Sequence, residues 1–277
     1  MTPALFDSHC HLSWEEAEHP VADTLERARA AGVLDLLCVG VDLASSRRAA
    51  EIAAAEPGVR ASAGIHPNDL PLAPGALGRE LAGLERLLAG GGFAAVGETG
   101  LDRHWDRVPA AIQEEGFQAQ LELAAAHGLP VVIHCREAID RVRDVLRSLG
   151  RPAAGVMHCW SGRAEEVDDF LDLGLHVSFA GNLSYKRNEE LREAARRVPR
   201  DRLLLETDAP FLAPQPRRGR RNEPAFLPHT LAALAAARGE DPEALAAATR
   251  ANAYRLFGPA PAGGGSAAGM VTISPEA

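Results

Sequence analysis

Residues 33–41 read Val33-Leu34-Asp35-Leu36-Leu37-Cys38-Val39-Gly40-Val41, a nearly continuous apolar run. A strand with one wet face alternates apolar and polar residues, whereas a parallel strand covered on both faces reads as unbroken apolar sequence. The run therefore predicts a central parallel strand. Helix-like segments bracket it: Val21 to Ala31, closed by Gly32, and Ala44 to Glu56. Glycine suits the left-handed position just past a helix end. The alternation continues outward. A first strand beginning at Ala4 leads into Asp7-Ser8-His9-Cys10-His11. Further strands are expected at 59–65, 93–96, 129–133, 154–157, 175–179 and 202–205. Helices are expected at 77–89, 109–127, 138–149, 163–173, 188–197, 228–238 and 242–257. Eight strands alternating with helices over about 250 residues is the pattern of an α/β protein of the (β/α)8 TIM-barrel type. A doubly wound open sheet competes, but no Gly-x-Gly-x-x-Gly follows an early strand, so the dinucleotide fingerprint is missing. Residues 1–258 are expected to form one domain, and 259–277, carrying Gly263-Gly264-Gly265-Ser266, a disordered tail.

The 277 residues are 46% hydrophobic and 24% charged, an ordinary globular composition able to bury a sizeable core. A net charge of −9 argues against non-specific adhesion to nucleic acid or anionic membrane, while leaving room for a local basic patch. The four cysteines, Cys10, Cys38, Cys135 and Cys159, form no Cys-x-x-Cys pair. Free thiols in a reducing cytoplasm are expected, as small neighbours of histidines rather than as metal ligands. The N-terminus lacks the basic and apolar regions of a signal peptide, and no apolar run approaches a membrane span. A cytoplasmic monomer without membrane contact is expected.

The polar residues concentrate where strands end. His9 and His11 follow strand one, Glu98 strand four, His134 strand five, His158 strand six and Asp208 strand eight. His-x-His in an extended segment presents both imidazoles on one face, because side chains alternate with period 2. In a barrel all C-terminal strand ends meet on one rim, which carries the chemistry. Any one of these residues could be a surface acid or a hydrogen-bonded core histidine; six together predict a metal centre. Six ligands suit two divalent ions roughly 3.5–4 Å apart, with Glu98 as the bridging carboxylate. Mixed imidazole and carboxylate ligands suit Mg²⁺, Mn²⁺ or Zn²⁺. Asp7 and Glu206 are either partners that orient the histidines or simple exposed acids.

Taken together, the segments FDSHCH (6–11), GIHP (64–67), GETGLD (97–102), VVIHCRE (131–137), MHCWSG (157–162), ETDAPFL (206–212) and RRNEP (220–224) resemble those of the TatD family of metal-dependent deoxyribonucleases, in the amidohydrolase superfamily. The resemblance spans residues 6 to 257. It implies a TIM barrel, a divalent-metal centre and phosphodiester hydrolysis. It implies one metal at His9, His11, Glu98 and Asp208, and a second at Glu98, His134 and His158. Some members also hydrolyse D-aminoacyl-tRNA esters. Two positions depart from the usual pattern: Trp160, where many relatives have Phe, and Arg103, where an aromatic is frequent.

Other residues are candidates for holding substrate. His66 ends strand three and either reaches the mouth or caps the turn before Pro67. Arg136 lies two residues past His134 and either clamps a phosphate or pairs with Glu137 or Asp140. His104, Trp105 and Lys186 fall in loops on the catalytic side. Trp105 and Trp160 either stack on a base or pack in the core. The run Arg217-Arg218-Gly219-Arg220-Arg221 follows strand eight, where barrels commonly bind phosphate; the alternative is a solvated charge run.

The resemblance, with the arginine run beside it, implies hydrolysis of phosphodiester bonds at DNA ends, with Asp208 aligning or deprotonating water and Arg136 neutralising phosphoryl charge. RNA is a related substrate. A D-aminoacyl-tRNA deacylase, or a small-molecule ester or amide hydrolase, would use the same centre. A non-catalytic nucleic-acid-binding barrel would not need an intact ligand set.

Overall fold

Residues 3–14 and 19–260 are described by the computed structural model. The tail expected from residue 259 lies, from 261 on, outside the described residues. Eight parallel strands form one sheet in sequence order: β1 Leu5–Cys10, β2 Val33–Val39, β3 Val59–Ala63, β4 Ala95–Asp102, β5 Val131–Arg136, β6 Gly155–Met157, β7 His176–Phe179 and β8 Leu203–Leu205. Helices α1 Val21–Ala30, α2 Leu43–Ala55, α3 Ala76–Ala89, α4 Ala110–His127, α5 Ile139–Ser148, α6 Val167–Asp172, α7 Glu189–Arg197, α8 Leu227–Arg238 and α9 Pro242–Phe257 alternate with them. This is the expected (β/α)8 barrel. The apolar run that suggested it is β2, buried everywhere except Leu34. Among the described residues no helix is long and apolar enough to cross a membrane.

The barrel closes at the rim rather than along the full length of β1 and β8. Asp208 N donates to His9 O (2.9 Å) and His11 N donates to Ala209 O (2.8 Å), extending β8 onto the end of β1. Asp7 reinforces the seam by accepting from Thr207 N (2.9 Å) and Thr207 Oγ1 (2.5 Å). Closure and assembly of the polar cluster are thus the same event.

One strand differs from expectation. The sequence places strand four at 93–96, with Gly97-Glu98-Thr99-Gly100 beyond it; β4 instead runs through those residues to Asp102. Gly97 (φ 136°) and Gly100 (φ 146°) make this possible. A Cβ at Gly97 would lie 2.5 Å from Val132 O, and one at Gly100 2.0 Å from His134 O. The two glycines, which read as turn signals, let β4 shift register and press against β5. Glu98 and Asp102, four residues apart, then project on one face.

Helix α4 locks two strand ends. Gln113 and Gln120, buried and two turns apart, each clamp a backbone amide group. Gln113 accepts from Asp102 N (2.9 Å) and donates to Asp102 O (3.0 Å). Gln120 does the same at Ile65 (2.8 and 3.0 Å), beside His66. Such pairing satisfies buried amides that strand ends otherwise leave open.

Candidate metal centre

The six strand-end residues come together as two sets sharing Glu98. On one side His9 Nε2 and His11 Nε2 lie 3.1 Å apart. Glu98 Oε2 is 3.3 Å from the first and 3.6 Å from the second, and Asp208 Oδ1 is 3.7 and 3.5 Å from them. On the other side Glu98 Oε1 lies 2.8 Å from His134 Nδ1 and 2.9 Å from His158 Nε2. Those two nitrogens are 3.4 Å apart. One carboxylate therefore turns each oxygen to a different pair of imidazoles.

Bonds of about 2.0–2.2 Å to a tetrahedral ion leave its N and O ligands roughly 3.3–3.6 Å from one another. The carboxylate–imidazole separations of 3.3–3.7 Å on the Oε2 side suit that spacing, whereas the 2.8 and 2.9 Å contacts of Oε1 are hydrogen-bond lengths. His9 Nδ1 and His11 Nδ1 are buried with no partner, so neither ring is held by a hydrogen bond on its far side. Burial, with His158 nearby, lowers the pKa of His9 and keeps its lone pair available. Burial alone would raise the Glu98 carboxyl, but His158 and His9 bring it well below the usual range. Asp208 is lowered against the same burial by its contacts with His11 and His9. Ionised carboxylates facing imidazoles in a buried pocket are donor groups of the kind divalent ions take.

Among the described residues four non-glycine positions have left-handed backbone, Glu137 (φ 55°), Cys159 (φ 46°), Asp208 (φ 55°) and Leu212 (φ 54°), and all lie in segments that follow the C-terminal ends of strands. Such conformations cost about 1–3 kcal/mol each and concentrate at functional sites.

Around the centre, some expectations hold and some do not. Glu206 orients His158: its Oε1 is 3.4 Å from Nδ1, and its Oε2 accepts from Ser178 Oγ. Asp7 does not touch an imidazole. Its oxygens are taken by Thr207 and by His9 N (3.3 Å), so its role is at the seam. His66 reaches the mouth, with Nε2 3.7 Å from Glu98 Oε1, and burial pushes it down to about 3, a neutral imidazole. Its Nδ1 accepts from Asn68 N (3.1 Å), so it also caps the turn.

Asp102 is a site residue that the chain pattern does not single out. Its Oδ2 meets His134 Nε2 (3.1 Å) and accepts from Asn68 Nδ2 (3.0 Å), while Oδ1 accepts from His104 N (2.9 Å) and Trp105 N (3.1 Å). The signal that could reveal it is its even spacing from Glu98, which a strand four ending at residue 96 conceals.

The remaining candidates lie further out. Arg136 ends β5, exposed, with its guanidinium 5.8 Å from the Trp105 ring; its expected partners are taken, Glu137 by His104 (2.7 Å) and Asp140 by Arg143 (2.6 Å). That pairing with Glu137 occupies His104. Lys186 touches the fold through its carbonyl, which accepts from Arg192. Trp160 is buried against Phe170 (5.4 Å) and cannot stack on a base, because its indole completes the core beneath β6. The arginine run divides. Arg217 lies over Phe226 (5.1 Å) and Arg218 over Tyr185 (4.5 Å). Arg220 and Arg221 line a cavity of about 390 Å³ that His11 and Trp14 also line. Among the described residues no thiol falls in a cluster able to hold a metal ion; burial raises Cys38 to about 11 and Cys135 to about 12, and raises Cys10 and Cys159 well above their usual value.

A family model for TatD-related DNases matches residues 6–258. The chain is 40% identical over 260 residues to a 3'-5' ssDNA/RNA exonuclease TatD of Klebsiella pneumoniae, covering 92% of this chain and 98% of that one. It is 37% identical over 254 residues to the uncharacterised metal-dependent hydrolase YabD of Bacillus subtilis, covering 91% and 98%. The crystal structure of the TatD homologue YJJV of Escherichia coli superposes with a TM-score of 0.85 at 30% identity, over 93% of this chain and 99% of that one.

Proposed function

The chain belongs to the TatD-related DNase family, and from that premise we propose how its strand-end cluster acts. It is a metal-dependent hydrolase of the TatD type. Our reading is a single-domain, cytoplasmic, monomeric enzyme that removes nucleotides from the ends of single-stranded DNA, with RNA as a second substrate. Two divalent ions, Mg²⁺, Mn²⁺ or Zn²⁺, are held by His9, His11, Glu98 and Asp208 on one side and by Glu98, His134 and His158 on the other. The observation that carries this is the division of Glu98, with Oε2 toward His9 and His11 and Oε1 toward His134 and His158.

Ions bound there supply Lewis acidity toward a phosphoryl oxygen and lower the pKa of water. The protein's own groups do the rest. Asp208, ionised and more exposed than Glu98, orients the attacking water and takes its proton as oxygen bonds to phosphorus. Glu98 stays ionised and holds both halves of the centre in register. His66, neutral at the mouth, lines the side from which the phosphate enters. Arg136 offers its guanidinium to the phosphoryl oxygens from the end of β5. The bond from phosphorus to the leaving oxygen breaks, and that oxygen is protonated from solvent at the open rim.

Hydrolysis of an aminoacyl-tRNA ester would draw on the same ligands, and no separate side chain favours it. The test is to strip the protein with chelator and assay single-stranded DNA, RNA and D-aminoacyl-tRNA side by side as Mg²⁺, Mn²⁺ or Zn²⁺ is restored. Metal-dependent release of mononucleotides supports the reading. Turnover of the ester alone would replace it.

A further inference from the structure

We propose that Phe211 and Trp105 are stacking platforms for two unpaired nucleobases, one on each side of the reacting phosphate. The strand then crosses the barrel mouth in single-stranded form. This rests on the phosphodiesterase reading and assigns the groups that select its substrate.

Among the described residues four large apolar side chains are exposed, Leu34, Leu72, Trp105 and Phe211. Both aromatic ones, each 45% exposed, stand on the catalytic rim. They flank the centre from opposite ends of Glu98. Phe211 lies beside the Oε2 half, its ring 6.1 Å from His11 and 5.4 Å from Trp14. Trp105 belongs to the Oε1 half: Asp102 holds its backbone N (3.1 Å) with one oxygen and His134 with the other.

Neither is a loosely held surface residue. Phe211 N donates to Asp208 O (2.8 Å), and Phe211 O accepts from Asn222 Nδ2 (2.6 Å). The buried Asn222 also donates to Thr207 O (2.8 Å), fastening this turn to the end of β8. Each platform is therefore indexed to a residue of the centre by hydrogen bonds to its own backbone.

Arginines stand near both, though not in the same way. Arg107 and Arg136 lie 5.3 and 5.8 Å from the Trp105 ring. Arg220 and Arg221 line a cavity that Trp14, the ring 5.4 Å from Phe211, also lines. In a chain of net charge −9, arginines thus collect on both sides of one centre. A nucleotide is the ligand unit that offers a π face and, across its sugar, a negative phosphate. Stacking tolerates any base, because every base has such a face. In a duplex those faces are covered by neighbouring pairs, so a paired end cannot occupy both platforms.

The test is a thermodynamic cycle between ring and base, read by anisotropy of a labelled, cleavage-resistant phosphorothioate thymidine oligonucleotide on the metal-loaded protein. Trp105→Leu and Phe211→Leu should each weaken binding roughly 5- to 100-fold, the range of one base–aromatic stack. Trp105→Phe and Phe211→Tyr should keep most of the affinity, which mere apolar cover would not require. An oligonucleotide lacking the base at the matching position should bind wild type as weakly as the intact one binds the Leu variant, with no further loss when both changes are combined. Additive losses, or Leu variants that bind like wild type, would overturn the proposal. Failure of metal-loaded wild type to cleave any phosphodiester would refute the phosphodiesterase reading instead, and the binding cycle would still report on the platforms.

Discussion

His134 and Asp102 meet through Nε2 and Oδ2 across 3.1 Å, so the imidazole that faces Glu98 with one nitrogen is braced by a second carboxylate on the other. The two residues are 32 apart in the chain and become neighbours because Asp102 pairs across β4 and β5 with Arg136.

Replacing Asp102 by Asn removes the charge behind His134 but keeps the volume. Turnover should fall ~10–100-fold, the usual effect of losing an outer partner of a metal-binding histidine. Metal content by elemental analysis should fall with it. Wild-type turnover and metal content together would assign Asp102 to holding the loop at Trp105 alone.

Glu98→Gln cannot present two anionic oxygens to two sets of imidazoles. Turnover should drop by ~10²-fold or more, the scale of losing one preorganised electrostatic group, and metal per chain should fall below wild type. A variant that retains both would remove Glu98 from the centre.

Arg220 and Arg221 line the cavity at His11, whereas Arg217 and Arg218 are committed to Phe226 and Tyr185. Changing the first two to Ala should raise KM for oligonucleotides and flatten its dependence on salt. The slope should fall by about 0.7 for each phosphate of a single strand that the protein no longer neutralises. Arg217→Ala should leave that slope closer to wild type. A salt titration of KM with all three proteins decides it, and identical slopes would show that the cavity arginines bind no phosphate.

His176, buried in β7, is pushed down to about 4 by desolvation with Arg202 adding to it. Its ordinary value is near 6.5, so between about 4 and 6.5 the unfolded chain binds a proton that the folded one refuses. Its stability contribution is complete above about 6.5 and is lost as pH falls toward about 4. His176→Gln should therefore lose less stability than wild type over that window, by ~2–3 kcal/mol at its acid end. Urea unfolding at pH 7 and pH 4.5 measures the difference, and equal losses would show that His176 does not titrate as described.

Local pattern alone pointed to the barrel and to the six residues that meet at its rim. Unbroken apolar runs of strand length separated by helical segments admit few architectures, and in a parallel barrel every strand end faces the same rim. His9, His11, Glu98, His134, His158 and Asp208 are legible because each stands just beyond an apolar run. What the chain pattern left undecided depends on contacts between distant segments. The glycines of β4 read as a turn, and only packing against Val132 and His134 shows that they carry the strand on to Asp102. Asp7 reads as a neighbour of His9, yet its oxygens are claimed by Thr207 across the barrel seam. Trp105 and Trp160 are equivalent as letters; one is exposed over arginines and the other is sealed against Phe170. The arginine run reads as a single feature, and the aromatic rings of Tyr185 and Phe226 divide it. Periodicity is a property of neighbouring residues and survives in the sequence. The partner of a buried charge or an exposed ring is chosen by chain closure, which brings residues as far apart as 7 and 207 within one hydrogen bond.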